Sequence, residues 1–97
     1  MANIIIHCYY AGKAGAVKGF FDEMQAGLQK DVYAEDGCVQ YDYYLSAKDG
    51  SSGVLLEKWR DAAALDAHQK GEPMAKLLKV KEKYALETRV EIYELKE

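Results

Sequence analysis

The sequence predicts an α+β fold of the ferredoxin-like type, in which a four-stranded antiparallel sheet carries its helices on one face. Strand-like segments occur at the beginning, in the middle and at the end of the chain. An amphipathic helical pattern follows the first strand, and a second helical region separates the third strand from the fourth. The predicted order is therefore βαββ(αα)β within one domain of residues 1–97.

The first strand is predicted from Ala2 to Tyr10, a segment rich in β-branched and aromatic residues that ends before Gly12. A helix of about five turns is predicted next, because apolar side chains recur there at helical spacing. These side chains are Val17, Phe21, Met24, Leu28 and Val32. Gly19 and Gly27 each cost this helix about 1 kcal/mol relative to alanine, and a close-packing role would explain them.

Gly37 precedes the second strand, whose residues alternate between two faces. One predicted face consists of Val39, Tyr41, Tyr43 and Leu45. Turn residues from Lys48 to Gly53 then lead into the third strand, which is predicted from Val54 to Trp59. Asp61 is the expected N-cap of a helix from Ala62 to Lys70.

Pro73 lies near the start of a further helix that is predicted to continue to about Tyr84. Its expected apolar stripe consists of Met74, Leu77, Leu78, Val80 and Tyr84. The last strand is predicted from Glu87 to Leu95. If the helices cover one face of the sheet, the opposite face exposes tyrosines such as Tyr9 and Tyr93. We therefore expect a homodimer in which a second copy covers that face.

Composition and charge exclude several kinds of partner. Sixteen acidic and thirteen basic residues give a formal charge of −3, and without a basic patch the chain is not expected to bind nucleic acid. No apolar run approaches the roughly 20 residues of a membrane span, and no signal-peptide pattern is present, so a cytoplasmic protein without a membrane partner is expected. Cys8 and Cys38 lie in strand-like segments and are expected to be buried free thiols.

Two blocks of the sequence, Glu35 to Ser46 and Val54 to His68, resemble the antibiotic biosynthesis monooxygenase family. They contain the elements Gly-Cys-x-x-Tyr, Glu-x-Trp and Ala-Leu-x-x-His, in the order and at the separations of that family. The resemblance implies the ferredoxin-like fold and a face-to-face dimer whose two sheets build an α/β barrel. It also implies oxygenation of a small aromatic molecule. Haem-degrading relatives use a histidine on the third helix, which the segment from Met74 to Lys79 lacks, so haem is not expected.

Three residues are candidates for catalysis: His7, His68 and Trp59. Either imidazole could serve as a base, because imidazole transfers protons near neutral pH, although each could equally have a structural role. Trp59 is implied by the resemblance to bind or activate an aromatic substrate, and it could also simply fill the core.

Candidates for substrate binding are Tyr41 as a hydrogen-bond donor, Met74 as part of an aromatic-binding wall, and Glu57. For Glu57 the favoured alternative is a salt bridge across strands or to Arg89. The tyrosines of the second strand are expected chiefly to fill the dimer interface.

The chain has no Gly-rich phosphate loop, nucleophile signature or metal-ligand spacing, so we expect neither a cofactor nor a metal. The leading hypothesis, which comes from the family, is a cofactor-independent monooxygenase of a quinol or anthrone-like aromatic that itself supplies the electrons. The alternatives are an isomerase of a small hydroxy-ketone and a non-catalytic dimer that binds a small ligand.

Overall fold

The structure is a computed structural model that describes residues 3–96. Its elements follow the predicted order and are β1 (Asn3–Ala11), α1 (Ala16–Gly27), α2 (Gln29–Tyr33), β2 (Cys38–Leu45), β3 (Ser52–Trp59), α3 (Ala62–Gln69), α4 (Glu72–Tyr84) and β4 (Glu87–Leu95). Ala2, which was predicted to begin the first strand, lies outside the described residues. The Asp61 side chain accepts a hydrogen bond from the Ala64 N–H, so the predicted N-cap of α3 is confirmed.

The four strands form one antiparallel sheet in the order β2-β3-β1-β4. The predicted ferredoxin-like fold is thereby confirmed, with β1 between β3 and β4. The predicted face of β2 is wrong at Val39, which is exposed. The reason is a bulge between Cys38 and Gln40 that shifts the register with β3 and takes Val39 out of the alternation.

The predicted five-turn helix is divided into α1 and α2. Leu28 separates the two helices, and its φ of −128° lies outside the helical range. Gly27 just before it weakens helix propagation at that point. The side chain of Gln29 donates to the Tyr41 carbonyl at 2.9 Å, which ties the beginning of α2 to β2.

The core lies between the helices and the inner face of β1, β2 and β3. Its most deeply buried side chains include Val17, Phe20, Met24, Val32, Tyr41, Leu55, Trp59 and His68. On α4 the prediction is wrong for Leu78, which is exposed, whereas Leu77 is buried. Met74, Val80 and Tyr84 lie three or seven residues from Leu77, and this spacing places Leu78 outside the buried stripe.

The two helical glycines differ in their surroundings. A Cβ atom at Gly19 would lie 2.8 Å from Cε1 of Tyr84, so close packing of α1 against α4 explains this glycine. A Cβ atom at Gly27 would have no neighbour within 4 Å. The suggested close-packing role therefore holds for Gly19 and not for Gly27.

The helices leave β4 largely uncovered. Val90 and Ile92 pair with Cys8 and Ile6, which face the helices, yet Val90 is 52% exposed and Ile92 is 60% exposed. Tyr93, on the other face of β4, is also exposed. An edge strand with apolar side chains exposed on both faces is unusual for an isolated monomer. Among the helices of residues 3–96, none has the length and apolarity needed to span a membrane.

Candidate functional site

The sheet places the predicted site residues on opposite faces. Ile6, Cys8 and Tyr10 are buried beneath the helices, so the alternate residues of β1, including His7 and Tyr9, lie on the open face. His7 contacts Tyr93 there, with ring centroids 5.2 Å apart. The structure therefore separates His7 from the other candidates. The predicted site residues that meet beneath the helices are His68, Trp59, Glu57 and Tyr41.

His68 is held by a carboxylate from the loop before β2. Its Nδ1 lies 3.0 Å from Oε1 and 3.2 Å from Oε2 of Glu35, and its side chain is only 1% exposed. A carboxylate accepts hydrogen bonds, so Nδ1 of the neutral imidazole carries the proton and donates it. The other nitrogen, Nε2, is then left with a free lone pair. The partner of His68 Nδ1 is thus the side chain of Glu35.

Trp59 stacks on the His68 ring and is completely buried. The two ring centroids are 4.4 Å apart, and the planes are inclined by 27°. The indole Nε1–H of Trp59 donates to Oε1 of Glu57 at 3.0 Å, since alternate residues of β3 lie on the same face. Trp59 therefore connects the imidazole with a buried carboxyl group.

Glu57 is a buried carboxyl group with two donors. In addition to the Trp59 indole, the Cys8 thiol donates to Oε2 at 3.4 Å, and His68 Nε2 lies 3.8 Å from Oε1. Burial raises the pKa of Glu57 above its ordinary value of 4.5, and the hydrogen bond from Trp59 partly offsets this rise.

The expected salt bridge between Glu57 and Arg89 does not form. Arg89 pairs with Tyr9 on the open face, whereas Glu57 pairs with Ile6 on the inner face, so the sheet lies between them. Arg89 instead donates to Glu91 at 2.7 Å, and its guanidinium lies 4.3 Å from the centre of the Tyr9 ring.

Three buried side-chain atoms within residues 3–96 have no hydrogen-bond partner: the hydroxyl oxygens of Tyr41 and Tyr43, and Nε2 of His68. Their rings are in contact, with centroid distances of 5.7 Å between Tyr41 and Tyr43 and 5.9 Å between Tyr41 and His68. Burial raises the pKa of both tyrosines, so their hydroxyls stay protonated and can donate. Because an unsatisfied buried polar group costs about 1–3 kcal/mol, this cluster favours a ligand that carries oxygen atoms.

Tyr41 and Tyr43 were expected to fill a dimer interface, and this expectation is wrong. Both face the helices: Tyr43 contacts Phe21 of α1, with ring centroids 4.8 Å apart, and Tyr41 contacts His68 of α3. Since the bulge precedes them, both stay in the inner face of β2. The open face of this strand presents Tyr44 instead, which pairs with Val54.

A family model described as "Antibiotic biosynthesis monooxygenase" matches residues 3–80 of the chain. The chain belongs to the antibiotic biosynthesis monooxygenase family. The match includes both sequence blocks and every residue of the buried cluster described above.

Two curated proteins that are similar in sequence are both named as putative monooxygenases. The chain is 34% identical over 65 residues to "Putative monooxygenase YcnE" of Bacillus subtilis. This match covers 67% of each protein. It is 55% identical over 40 residues to "Putative monooxygenase Rv0793" of Mycobacterium tuberculosis, a match of 41% of this chain and 38% of that protein. Among solved structures, SnoaB from Streptomyces nogalater, a cofactor-independent oxygenase, superposes with a TM-score of 0.80. The identity is 11%, with 100% of this chain and 96% of that chain covered, so this likeness concerns the fold.

In the sequence analysis Glu35 had no predicted role and Tyr43 was not among the site residues, although both lie in the first family block. Tyr43 has a signal in the sequence, because it shares strand parity with Tyr41. Glu35 has no comparable signal in the sequence beyond its place two residues before Gly37. Its contact with His68 joins residues that are 33 positions apart, and no local pattern predicts such a contact. Met74 lies in the first turn of α4 and is partly buried against the core.

Two surface cavities lie elsewhere. A trough of about 620 Å³ at one end of the open face is lined by residues that include Tyr9, Tyr44 and Arg89. A groove of about 530 Å³ between α1 and α4 is lined by residues that include Met24 and Val80. Neither is lined by His68, Trp59 or Glu57. These three side chains are almost completely buried, so a ligand reaches them only when the side chains above them move.

The two cysteines are free thiols. Burial raises the pKa of Cys8 to about 12 and the pKa of Cys38 to about 11, so both are protonated near neutral pH. The expected burial is confirmed for Cys8, while Cys38 is only partly buried. Within residues 3–96, no group of three or more His, Cys, Asp or Glu side chains is arranged to hold a metal ion.

Proposed function

We propose that the protein is a cofactor-independent monooxygenase that oxidises a small, electron-rich aromatic of the quinol or anthrone class with dioxygen. The observation that carries this proposal is the buried cluster in which His68 Nε2 and two tyrosine hydroxyls lack partners beside the Trp59 indole. Family membership and the fold shared with SnoaB, a cofactor-independent oxygenase, support it.

The chemistry assigned to these residues begins with a proton transfer. His68 Nε2 accepts the proton of a phenolic or enolic hydroxyl group, because its lone pair is free while Nδ1 donates to Glu35. The hydroxyls of Tyr41 and Tyr43 donate hydrogen bonds to substrate oxygens and so stabilise the anion. Trp59, stacked on His68, offers a flat apolar wall for the aromatic ring, and Met74 lies at the edge of the same core.

The substrate supplies all electrons for the reduction of dioxygen. The anion passes one electron to dioxygen, and the resulting radical and superoxide combine to form a carbon–oxygen bond. Loss of water from this hydroperoxide converts a methylene or ring C–H carbon into a carbonyl. One oxygen atom of dioxygen enters the product and the other leaves as water, so atoms and electrons balance. The closed, apolar surroundings hold the radical pair and exclude water.

The test is oxygen consumption with panels of quinols and anthrones, without added flavin or metal. We expect the wild-type protein to consume dioxygen above the autoxidation rate, and His68→Gln to lower kcat by about a hundredfold or more. His7→Gln is the matched control, because His7 lies on the open face and its replacement should leave kcat unchanged. The assignment of the base is wrong if the control loses activity and His68→Gln retains it.

The alternatives are separate outcomes of the same assay. Absence of oxygen uptake by the wild-type protein across the panels contradicts a monooxygenase. Conversion of a small hydroxy-ketone without oxygen uptake would show an isomerase that uses the same base. Binding of an aromatic without conversion would show a non-catalytic binding protein.

We also propose a homodimer formed through the open face of the sheet. Tyr44, Tyr93 and Leu95 are exposed on this face, and Val90 and Ile92 are exposed on the other side of β4. Burial of Tyr44, Tyr93 and Leu95 by a second copy would remove the exposed apolar side chains of the open face from water. The free thiols favour a reducing compartment, and the cytosol is the location that we propose.

The dimer is tested by light scattering at micromolar concentration, where we expect twice the mass of the chain. Tyr93→Glu should shift the equilibrium towards monomer, because it places a charge on the proposed interface. Leu78→Glu is the matched control, since Leu78 is similarly exposed but lies on α4, and it should remain dimeric. A monomeric mass for the wild-type protein contradicts the proposal.

A further inference from the structure

We propose that Glu35 is a positioning residue that selects the tautomer of His68 in which Nε2 can accept a proton. The inference rests on the proposed function, in which His68 is the base. Glu35 contacts Nδ1 through both carboxylate oxygens, at 3.0 and 3.2 Å. Its own side chain is 22% exposed, so water still reaches the carboxylate.

The tautomer needs to be selected because a second carboxyl group lies on the other side of the ring. Glu57 Oε1 is 3.8 Å from His68 Nε2, so a proton on Nε2 would point towards an acceptor too. Glu35 lies 3.0 Å from Nδ1 of His68, which is closer than the 3.8 Å between Glu57 and Nε2. Oε1 of Glu57 also already accepts the hydrogen bond of the Trp59 indole N–H. The proton of the neutral ring therefore resides on Nδ1. Without the Glu35 carboxylate, Glu57 would favour the tautomer that cannot act as a base.

The loop that carries Glu35 is fixed at both ends. The Glu35 N–H donates to the Val32 carbonyl at 3.0 Å, and its own carbonyl accepts from Cys38 N–H at 3.1 Å. The next residue, Asp36, accepts two hydrogen bonds from the Arg60 guanidinium, at 3.1 and 3.0 Å. These contacts hold the carboxylate against α3, which is the arrangement expected of a group that orients a catalytic histidine.

The test is Glu35→Gln, which keeps the size of the side chain but replaces a pure acceptor with a group that can also donate to Nδ1. Nitrogen-15 NMR at a pH where imidazole is neutral reports the tautomer directly, without any activity. The chain has two histidines, and a His7→Gln background leaves only the signals of His68. We expect the Nδ1–H tautomer in the wild-type protein and a shift towards Nε2–H in Glu35→Gln.

The kinetic expectation is a fall in kcat of at least about tenfold with KM nearly unchanged, because the substrate contacts remain. Glu35→Asp restores a carboxylate and should recover part of the loss. Glu82→Gln removes a carboxylate from an exposed position on α4 and is the matched control, with no expected change. Circular dichroism of each variant verifies that it is folded.

Failure of the positioning role of Glu35 can be distinguished from failure of the proposed monooxygenase reaction. A wild-type protein whose neutral His68 carries the proton on Nε2, or a Glu35→Gln variant with unchanged tautomer and kcat, overturns the positioning role. If the wild-type protein consumes no dioxygen yet shows the expected tautomer and its dependence on Glu35, the proposed reaction fails while the role of Glu35 in selecting the tautomer stands.

Discussion

Gly37→Ala is expected to lower the free energy of unfolding by about 2–5 kcal/mol, for two additive reasons. Gly37 has a φ of 85°, in the left-handed region, where an alanine costs about 1–2 kcal/mol. A Cβ atom there would also lie 2.4 Å from the Cβ atom of Ala64, so the loop and α3 would have to separate. The contribution of this overlap is about 1–3 kcal/mol, and urea denaturation measures the total.

Gly27→Ala is the matched control. A Cβ atom there meets no neighbour within 4 Å, and the residue lies at the end of α1, where alanine favours the helix. We expect unchanged stability or a gain of up to about 1 kcal/mol. An equal loss in both variants would show that the close approach of Gly37 to Ala64 does not limit this fold.

Glu57→Gln is expected to become more stable relative to the wild-type protein as the pH rises above about 4.5, the ordinary pKa of the carboxyl group. Burial raises the pKa of Glu57 in the folded protein, so over the window between the two values the folded state retains a proton that the unfolded state has released. The folded state then binds more protons, and the free energy of unfolding of the wild-type protein falls with rising pH, by at most about 1.4 kcal/mol per pH unit.

Below this window the carboxyl group of Glu57 is protonated in both the folded and the unfolded state. Above the raised pKa, the wild-type protein has lost the full amount of unfolding free energy, and the loss no longer changes with pH. Glutamine has no such titration, and its carbonyl oxygen can still accept the Trp59 indole hydrogen bond. Denaturation at a series of pH values gives the difference between the two curves. Glu94→Gln, at an exposed position of β4, is the control. Parallel wild-type and Glu57→Gln curves would contradict a raised pKa for Glu57.

The order of elements could be predicted because each has its own local period. Alternation located β2, and helical spacing located the helices, although the break at Leu28 depends on how α2 is tied to β2 through Gln29. A period of two also puts His7 and Tyr9 on one face of β1 and Cys8 on the other. It could not say which face is the core, because both carry apolar side chains. For this reason His7 and His68 remained equal candidates until the helices were placed.

The sequence by itself determined the family, the four-stranded ferredoxin-like sheet and the alternation within each strand, since these follow from local spacing and from two continuous blocks. Only the tertiary structure decided that Glu35, His68, Trp59 and Glu57 form one buried cluster. Glu35 and His68 are 33 positions apart and meet because α3 packs closely on the loop at Gly37. Contacts of this kind depend on how helices and sheet approach each other, and no periodic pattern within a single element encodes that approach.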